Sequence, residues 1–287
     1  MKQSDDNKFI PMTSITGGSE TTIKEDIHFL TDQIVNVIFV GKPQNKDWVL
    51  IDTGMPKSYK NIIDVAEKRF GKGNPPAAIL LTHGHFDHVG GITDLAQQWR
   101  VPVYAHPLEM PFLTGKQSYP EPDPTAEEGL LGKISSVYPH EPIEISEVLV
   151  ELPDDHSVPN LPGWTWIHTP GHSAGHVSFF RDKDKSLIVG DAFTTVRQDS
   201  FYKVLIQKKE INGPPRYLTP DWRSAKESVQ KLEALKPKMA ITGHGPAMEG
   251  EELGEGLKNL VNNFEEIAVP THGRYVDDRN GDKDPNS

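Results

Sequence analysis

Three histidines and an aspartate lie within six residues of one another, directly after an apolar run that predicts a buried strand. The run is Ala77–Leu81, and the segment after it reads Thr82-His83-Gly84-His85-Phe86-Asp87-His88. Residues two apart point to one side on a strand end or tight loop, but they do not share a helix face. His83 and His85 are therefore expected on the loop that leaves this strand. The following Val89-Gly90-Gly91 lets the backbone turn sharply into a helix.

Imidazole and carboxylate groups are the usual ligands of zinc, and they also suit iron and manganese. Four ligands in one loop cannot easily all bind one ion, because His83 and His85 aim one way while Asp87 and His88 can aim another. The loop therefore indicates two ions, and further ligands must come from elsewhere. Three candidates each follow another predicted strand, and they are His172, Asp191 and His244. A carboxylate such as Asp191 can bridge two cations and offset part of their mutual repulsion.

Alternating strand and helix patterns predict one domain over residues 21–268, with two sheets packed on each other and helices outside. The strands are predicted at Thr21–Ile27, Ile34–Val40, Trp48–Asp52, Ala77–Leu81, Val103–Ala105, Leu149–Leu152, Trp164–His168, Val177–Arg181, Ser186–Val189 and Met239–Thr242. The helices are predicted at Ser58–Phe70, at Ile92–Gln98, after a capping Thr219, and over Leu253–Phe264.

Three segments fall outside this regular pattern. Residues 1–20 are polar and are expected to be loosely ordered, and residues 269–287 are expected to form a polar tail. Residues 113–142 are a Pro-rich insertion with at most one short helix, near Ala126–Ser135, because Pro removes backbone donors. Long irregular segments in compact domains are often lids or binding loops, so this insertion is a possible lid.

Composition removes several classes of function. The chain has no Cys, which excludes disulfides, Cys-bound zinc, iron–sulfur clusters and a Cys nucleophile. Its 41 acidic and 30 basic residues give a net charge of -11, which disfavours nucleic-acid partners. No apolar run approaches the ~20 residues that span a bilayer, and the N-terminus lacks a signal-peptide pattern. We therefore expect a cytoplasmic protein without a membrane partner; the oligomeric state stays open.

The ligand pattern resembles the metal signature of the metallo-β-lactamase-fold hydrolases, and the match covers about Thr21 to Phe264. The resemblance implies an α+β fold, an αββα four-layer sandwich with the metal site at one edge of the two sheets. It implies that one metal is held by His83, His85 and His172. It implies that the second metal is held by Asp87, His88 and His244, and that Asp191 bridges the two metals. It also implies that Asp52, in the Asp-Thr-Gly turn, lies behind the ligands and orients them.

This resemblance implies a dinuclear hydrolase that uses a metal-bound hydroxide, since a bound cation lowers the pKa of water. The expected cofactors are two divalent ions, most simply zinc, with iron or manganese as alternatives. Asp191 and Asp87 are the expected catalytic carboxylates, and we hypothesise that Asp87 passes a proton to the leaving group.

The full set of His and Asp residues resembles glyoxalase II thioesterases and acyl-homoserine lactonases, which predicts a small ester, thioester or lactone as substrate. Lactonases of this family often carry a Tyr three residues after the bridging Asp, where this chain has Thr194. The candidate residues of the substrate pocket are Tyr119, as a wall, Thr194, and Tyr202 as a replacement for that Tyr. His176 lies close enough to His172 in sequence for a supporting role.

Two other classes of function remain open at this point. One is a mononuclear-iron oxidoreductase like the persulfide dioxygenases, which use three of these side chains. The other is a non-catalytic metal-binding or sensing protein on the same fold.

Overall fold

Two β-sheets lie face to face, and helices cover the outer face of each. The computed structural model describes residues 17–126, 142–196 and 209–276. The structure thus has the α+β, four-layer arrangement that the resemblance implied.

The first sheet contains seven strands within the described residues, and they lie side by side in chain order. Strands β1 to β4 pair antiparallel, whereas β4 to β7 pair parallel. The strands are β1 Glu20–Lys24, β2 Ile27–Asp32, β3 Val35–Val40, β4 Val49–Ile51, β5 Ala78–Leu80, β6 Val103–Ala105 and β7 Leu149–Glu151. The parallel connections run through helix α1 (Tyr59–Phe70), which follows β4, and helix α2 (Ile92–Trp99), which follows β5.

The second sheet has five strands in the part of the chain that the structure describes, in the order β14-β13-β10-β9-β8. They are β8 Trp164–His168, β9 Val177–Arg181, β10 Ser186–Gly190, β13 Met239–Thr242 and β14 Met248–Glu249. A separate hairpin pairs β11 (Thr194–Val196) with β12 (Lys209–Asn212). The other helices are α3 Met110–Leu113, α4 Trp222–Ala234, α5 Gly250–Asn262 and α6 Phe264–Ile267.

Successive side chains of a strand point to opposite faces of its sheet, so each sheet contributes to two buried layers. The two sheets share the central layer, which gives three layers in all. In β4, Leu50 packs against the residues of α1 and α2, whereas Val49 joins the core between the sheets. In β10, Ile188 joins that same central core, whereas Leu187 packs against α4 and α5. Burial on both faces favours continuous apolar runs, as in β5 and the centre of β10.

Several strand ends meet at one edge of this sandwich. Loops that carry chemically active side chains leave the carboxyl ends of β4, β5, β8, β10 and β13. Asn36 ties the two sheets together there, because its Nδ2 donates to the carbonyls of Thr242, at 2.9 Å, and Gly245, at 2.7 Å.

Two local predictions are wrong. The predicted strand Thr21–Ile27 breaks at a turn over Glu25 and Asp26, and Ile27 begins the buried strand β2. The helix predicted to start at Thr219 starts at Trp222 instead, because Asp221 is the capping residue and accepts a hydrogen bond from Ser224 N.

The predicted N-terminal, insertion and tail segments lie only partly within the described residues. The short helix expected near Ala126–Ser135 lies almost wholly outside them, since residues 127–141 are not described. The described part of the predicted tail lies against the domain: Val269 is buried, and Tyr275 packs on the core that α4 and α5 cover.

Candidate metal centre

Seven buried His and Asp side chains converge at this edge. The loop after β5 carries four of them, and it folds back on itself because the backbone N–H groups of His88 and Val89 donate to the carbonyl of His85. The chain after β8 supplies His172, the end of β10 supplies Asp191, and the turn after β13 supplies His244. Each of the seven side chains is at most 5% exposed.

The seven residues form two groups of three that share a carboxylate. We call His83, His85 and His172 the first triad, and Asp87, His88 and His244 the second triad; in each, the nearest nitrogen or oxygen atoms lie within 4.8 Å of one another. Asp191 lies between them. Its Oδ2 is 3.5 Å from His172 Nε2, 3.6 Å from His88 Nε2 and 3.3 Å from His244 Nε2.

Hydrogen bonds fix which nitrogen each ring of the first triad presents. Thr82 donates its hydroxyl proton to Asp52 Oδ2 at 2.7 Å, so it accepts from His83 Nδ1 at 3.0 Å. Thr219 donates to the carbonyl of Pro215 at 2.7 Å, so it accepts from His172 Nδ1 at 3.2 Å. The Nε2 atoms of both rings are therefore free of protons. His172 Nε2 lies 2.9 Å from His85 Nδ1.

The second triad is oriented in the same way by other partners. His88 Nδ1 donates to Asp52 Oδ2 at 2.8 Å, and His244 Nδ1 donates to the carbonyl of Ile34 at 3.0 Å. His244 Nε2 then lies 3.2 Å from Asp87 Oδ2. Asp52 also accepts from the backbone N–H of Thr82 at 2.8 Å. The structure thus places Asp52 behind His88, in the position from which a carboxylate fixes the tautomer of a ligand.

Buried atoms in this centre lack partners. Four of them have no hydrogen-bond partner among the described residues: His83 Nε2, Asp87 Oδ1, His88 Nε2 and Asp191 Oδ1. A buried polar atom without a partner is costly, and the great majority of such atoms in folded proteins are satisfied. Ring nitrogens and carboxylate oxygens are the donor set of zinc, iron and manganese ions. The residues therefore fit divalent cations.

Burial and neighbouring charges shift the pKa values of the centre. Burial lowers the pKa of His85 to about 4 and holds that of His83 well below its usual range. Burial also lowers the pKa of His244, but the carboxylates of Asp191 and Asp87 outweigh it and raise the value to about 10. Burial raises the pKa of Asp191, but His244 and His88 outweigh it and hold the value well below the usual range.

The three candidate residues of the substrate pocket have different environments. The Tyr119 ring lies 4.5 Å from the His85 ring, and its hydroxyl donates to Glu109. The hydroxyl of Thr194 donates to the carbonyls of Val196 and Gly213, so it serves the β11–β12 hairpin. Tyr202 lies outside the described residues.

Comparisons with known proteins identify the family. A family model described as the metallo-beta-lactamase superfamily matches residues 30–244, which contain both triads and Asp191. The chain belongs to the metallo-β-lactamase superfamily. This membership and the names of its relatives support a metal-dependent hydrolase that uses divalent ions.

Two relatives of this superfamily member come from Bacillus subtilis (strain 168). "Probable metallo-hydrolase YflN" is 46% identical over 260 residues, which are 90% of this chain and 98% of the relative. "Probable metallo-hydrolase YqgX" is 32% identical over 196 residues, which are 67% of this chain and 79% of the relative. The crystal structure of TTHA1623 in a di-iron-bound form has a TM-score of 0.53 and 28% identity, and the match covers 80% of this chain and 94% of that chain.

None of the described helices of this superfamily member has the length and apolarity needed to cross a membrane.

Two residues outside the ligand set support the superfamily site. His176 Nε2 accepts from the backbone N–H of Asp191 at 2.8 Å, so its Nδ1 carries the proton and donates to Thr169 Oγ1 at 2.8 Å. Its proximity to His172 in sequence was the only signal. Glu109 is fully buried and bonds to both the loop after β5 and the loop after β8. Nothing in the local sequence around Glu109 marks it.

Proposed function

We propose that this protein is a dinuclear metal-dependent hydrolase that cleaves a small ester, thioester or lactone. One observation carries the proposal. Oδ2 of Asp191 lies within 3.6 Å of ring nitrogens from both triads, so one carboxylate is positioned to serve two cations. A carboxylate shared in this way offsets the repulsion between two positive ions, and a site for a single ion does not need it.

The proposed ligands are the ring nitrogens and carboxylates that lie close together within each triad. The first ion would be held by His83 Nε2, His85 Nδ1 and His172 Nε2, and the second by Asp87, His88 Nε2 and His244 Nε2. Zinc is the proposed metal, with iron or manganese as alternatives. Bound divalent ions supply Lewis acidity, since they lower the pKa of water from about 15.7 to about 7 and stabilise negative charge on oxygen.

Several residues of the chain prepare this chemistry. Asp52 and the carbonyl of Ile34 each accept a hydrogen bond from the Nδ1 atom of a ring in the second triad, which leaves the two Nε2 atoms facing the shared carboxylate. Asp87 has a buried Oδ1 without a partner among the described residues, and we propose that this oxygen carries the proton to the leaving group.

The proposed substrate class rests on the whole ligand set. The chain keeps both Asp87 and His88 together with Asp191 and has no Cys, which resembles thioesterases and lactonases more than zinc β-lactamases. Tyr119 offers an aromatic wall beside His85. The net charge of -11 disfavours a nucleic-acid substrate, and we propose a small molecule as the only partner required.

Metal content tests the proposal most directly. We expect about two divalent ions per chain by plasma mass spectrometry, together with hydrolysis of at least one compound in an ester, thioester and lactone panel. In Asp191→Ala and His85→Ala, metal and activity should be lost together, with an affinity loss of at least about 100-fold. The matched control is His272→Ala, which removes an exposed histidine far from the ligand loops in sequence.

Three outcomes would contradict the proposal. About one iron per chain, with oxygen consumption on persulfides, would point to the mononuclear oxidoreductase. Two ions without hydrolysis of any compound class would favour a binding or sensing protein. Full activity in Asp191→Ala would show that the reaction does not need a carboxylate shared by the two ions.

A further inference from the structure

The carboxylate of Glu109 is fully buried, and four described groups donate hydrogen bonds to it. Oε1 accepts from Ser173 Oγ at 2.7 Å and from the backbone N–H of Gly175 at 2.8 Å. Oε2 accepts from the backbone N–H of Gly84 at 3.0 Å and from the hydroxyl of Tyr119. A carboxylate with four donors is fully satisfied as an acceptor, which is the condition under which a buried charge is tolerated.

Three of these four contacts join the two loops that build the first triad. Gly84 stands between His83 and His85 on the loop that leaves the first sheet. Ser173 and Gly175 follow His172 on the loop that leaves β8 of the second sheet. The facing atoms of the triad, His85 Nδ1 and His172 Nε2, lie on these two loops. One carboxylate therefore bonds to both loops at once.

Two glycines permit this close approach. A Cβ on Gly84 would lie 2.3 Å from the Tyr119 hydroxyl oxygen, and a Cβ on Gly175 would lie 2.7 Å from Glu109 Cγ. Neither glycine has a positive φ, so backbone conformation does not explain them. They are explained by the space that Glu109 and Tyr119 occupy against the ligand loops.

The second triad is held by different groups. His88 is oriented by Asp52, and His244 is oriented by the carbonyl of Ile34. Glu109 makes none of its four described hydrogen bonds with these residues or with Asp87. Any effect of Glu109 on metal binding should therefore fall on one ion and spare the other.

We propose that Glu109 is a positioning residue for the first ion: through Gly84, Ser173 and Gly175 it fixes the separation of His85 and His172, and so determines the affinity of the first triad alone. This inference rests on the proposed dinuclear centre. Glu109→Gln tests it with little change of volume. A glutamine keeps one acceptor oxygen, but its NH₂ group must face donors, either Gly84 N–H or the Ser173 and Gly175 pair, so the two loops lose their common partner.

The experiment is a titration of the full, chelator-treated chain with cadmium, followed by ¹¹³Cd NMR and calorimetry. The wild-type protein should give two resonances, and the one that disappears in His172→Ala belongs to the first triad. In Glu109→Gln we expect the affinity of that site to fall about 10- to 100-fold, as for other residues that support ligands. The affinity of the second triad should stay within about twofold of the wild type, a selectivity that general destabilisation would not produce.

Two further variants keep the test decisive. Asp32→Asn is the matched control, because Asp32 is also a buried carboxylate but accepts from Met55 N and Ser58 Oγ, outside both triads; it should leave both sites unchanged. Ser173→Ala removes a single donor and should weaken the same site more mildly, which covers the case that Glu109→Gln does not fold.

The outcomes separate this inference from the proposed function. Equal weakening of both sites, or of neither, in Glu109→Gln and Ser173→Ala would overturn the positioning role while leaving the dinuclear centre intact. Fewer than two cadmium sites in the wild-type chain would instead overturn the proposed function.

Discussion

Asp87, like Asp191, has one buried carboxylate oxygen without a hydrogen-bond partner among the described residues. Its Oδ2 lies 3.2 Å from His244 Nε2, whereas its Oδ1 is buried and has no hydrogen-bond partner in the described ranges. Asp87→Asn keeps an oxygen that can bind a cation but cannot carry a proton. We therefore expect kcat to fall about 10²- to 10⁴-fold, the usual contribution of a general acid, while most of the metal is retained.

The leaving group provides the control for this prediction. An ester with an acidic phenol as leaving group needs no proton, so Asp87→Asn should hydrolyse it at nearly the wild-type rate. An alkyl ester should show the full loss. Two bound ions together with full activity on alkyl esters would refute the proton-donor role of Asp87.

Single residues differ in how far the sequence predicts them. His83, His85 and His88 are predictable because they crowd into one loop, and His172 and His244 because each follows a predicted strand. Glu109 is not predictable in this way. Its partners at positions 84, 119, 173 and 175 are scattered along the chain and meet only after both sheets have formed.

At the scale of elements, the turn that carries Glu109 starts from a stacked pair of histidines. His106 begins the turn Pro107–Glu109, and its Nδ1 accepts from Leu108 N at 3.2 Å. Its ring stacks on His168, with centroids 4.3 Å apart and planes 11° apart. Burial, and then the neighbouring His168 and His156, lower the pKa of His106 to about 4.

This lowered pKa predicts acid sensitivity. The unfolded chain binds a proton at His106 below a pKa of about 6.5, whereas the folded protein does so only near 4, so stability should fall as pH drops from about 6.5 to about 4. His106→Asn keeps an acceptor for Leu108 N but does not titrate. Urea unfolding of chelator-treated protein should therefore show a shallower loss of stability in the variant than in the wild type. If the free energies of unfolding of the variant and the wild type fell in parallel between pH 7 and pH 5, His106 would be excluded as a source of that loss.

Elements differ in predictability for a simple reason of length and context. The strands β5 and β6 are uninterrupted apolar runs and the helix α1 has clear helical spacing, so their predicted bounds lie close to the observed ones. Strand β14 has two residues, too few to show a period, and β11 (Thr194–Val196) has only one apolar residue, Val196. Strand β2 was missed because the turn at Glu25 and Asp26 lies inside a segment with strand-like composition.

At the scale of the whole molecule, the two sheets are joined at opposite ends of strand β10 by different interactions. The metal centre lies at the end of β10, beside Asp191, whereas Arg181 lies near the start of β10. Arg181 is 3% exposed, donates to Asp184 Oδ2 at 2.8 Å, and reaches across to Asp26 in the turn between β1 and β2. Its guanidinium also lies over the Trp164 ring at 4.9 Å. One side chain thus joins the first sheet to the second.

Arg181→Met should therefore lower the free energy of unfolding without disturbing the metal centre. The variant removes the guanidinium and leaves two carboxylates that remain partly exposed, so we expect a loss of about 2 kcal/mol, below the range for fully buried pairs. The five residues of β10 separate the two edges by about 17 Å, a distance at which effects are usually additive. Urea unfolding should thus show the same loss, within about 0.5 kcal/mol, with and without bound metal. If Arg181→Met lowered the metal content per chain, the metal centre and the Arg181 interactions would be coupled through the sheets. The stability of the metal site would then depend on the contacts of Arg181 at the other end of β10.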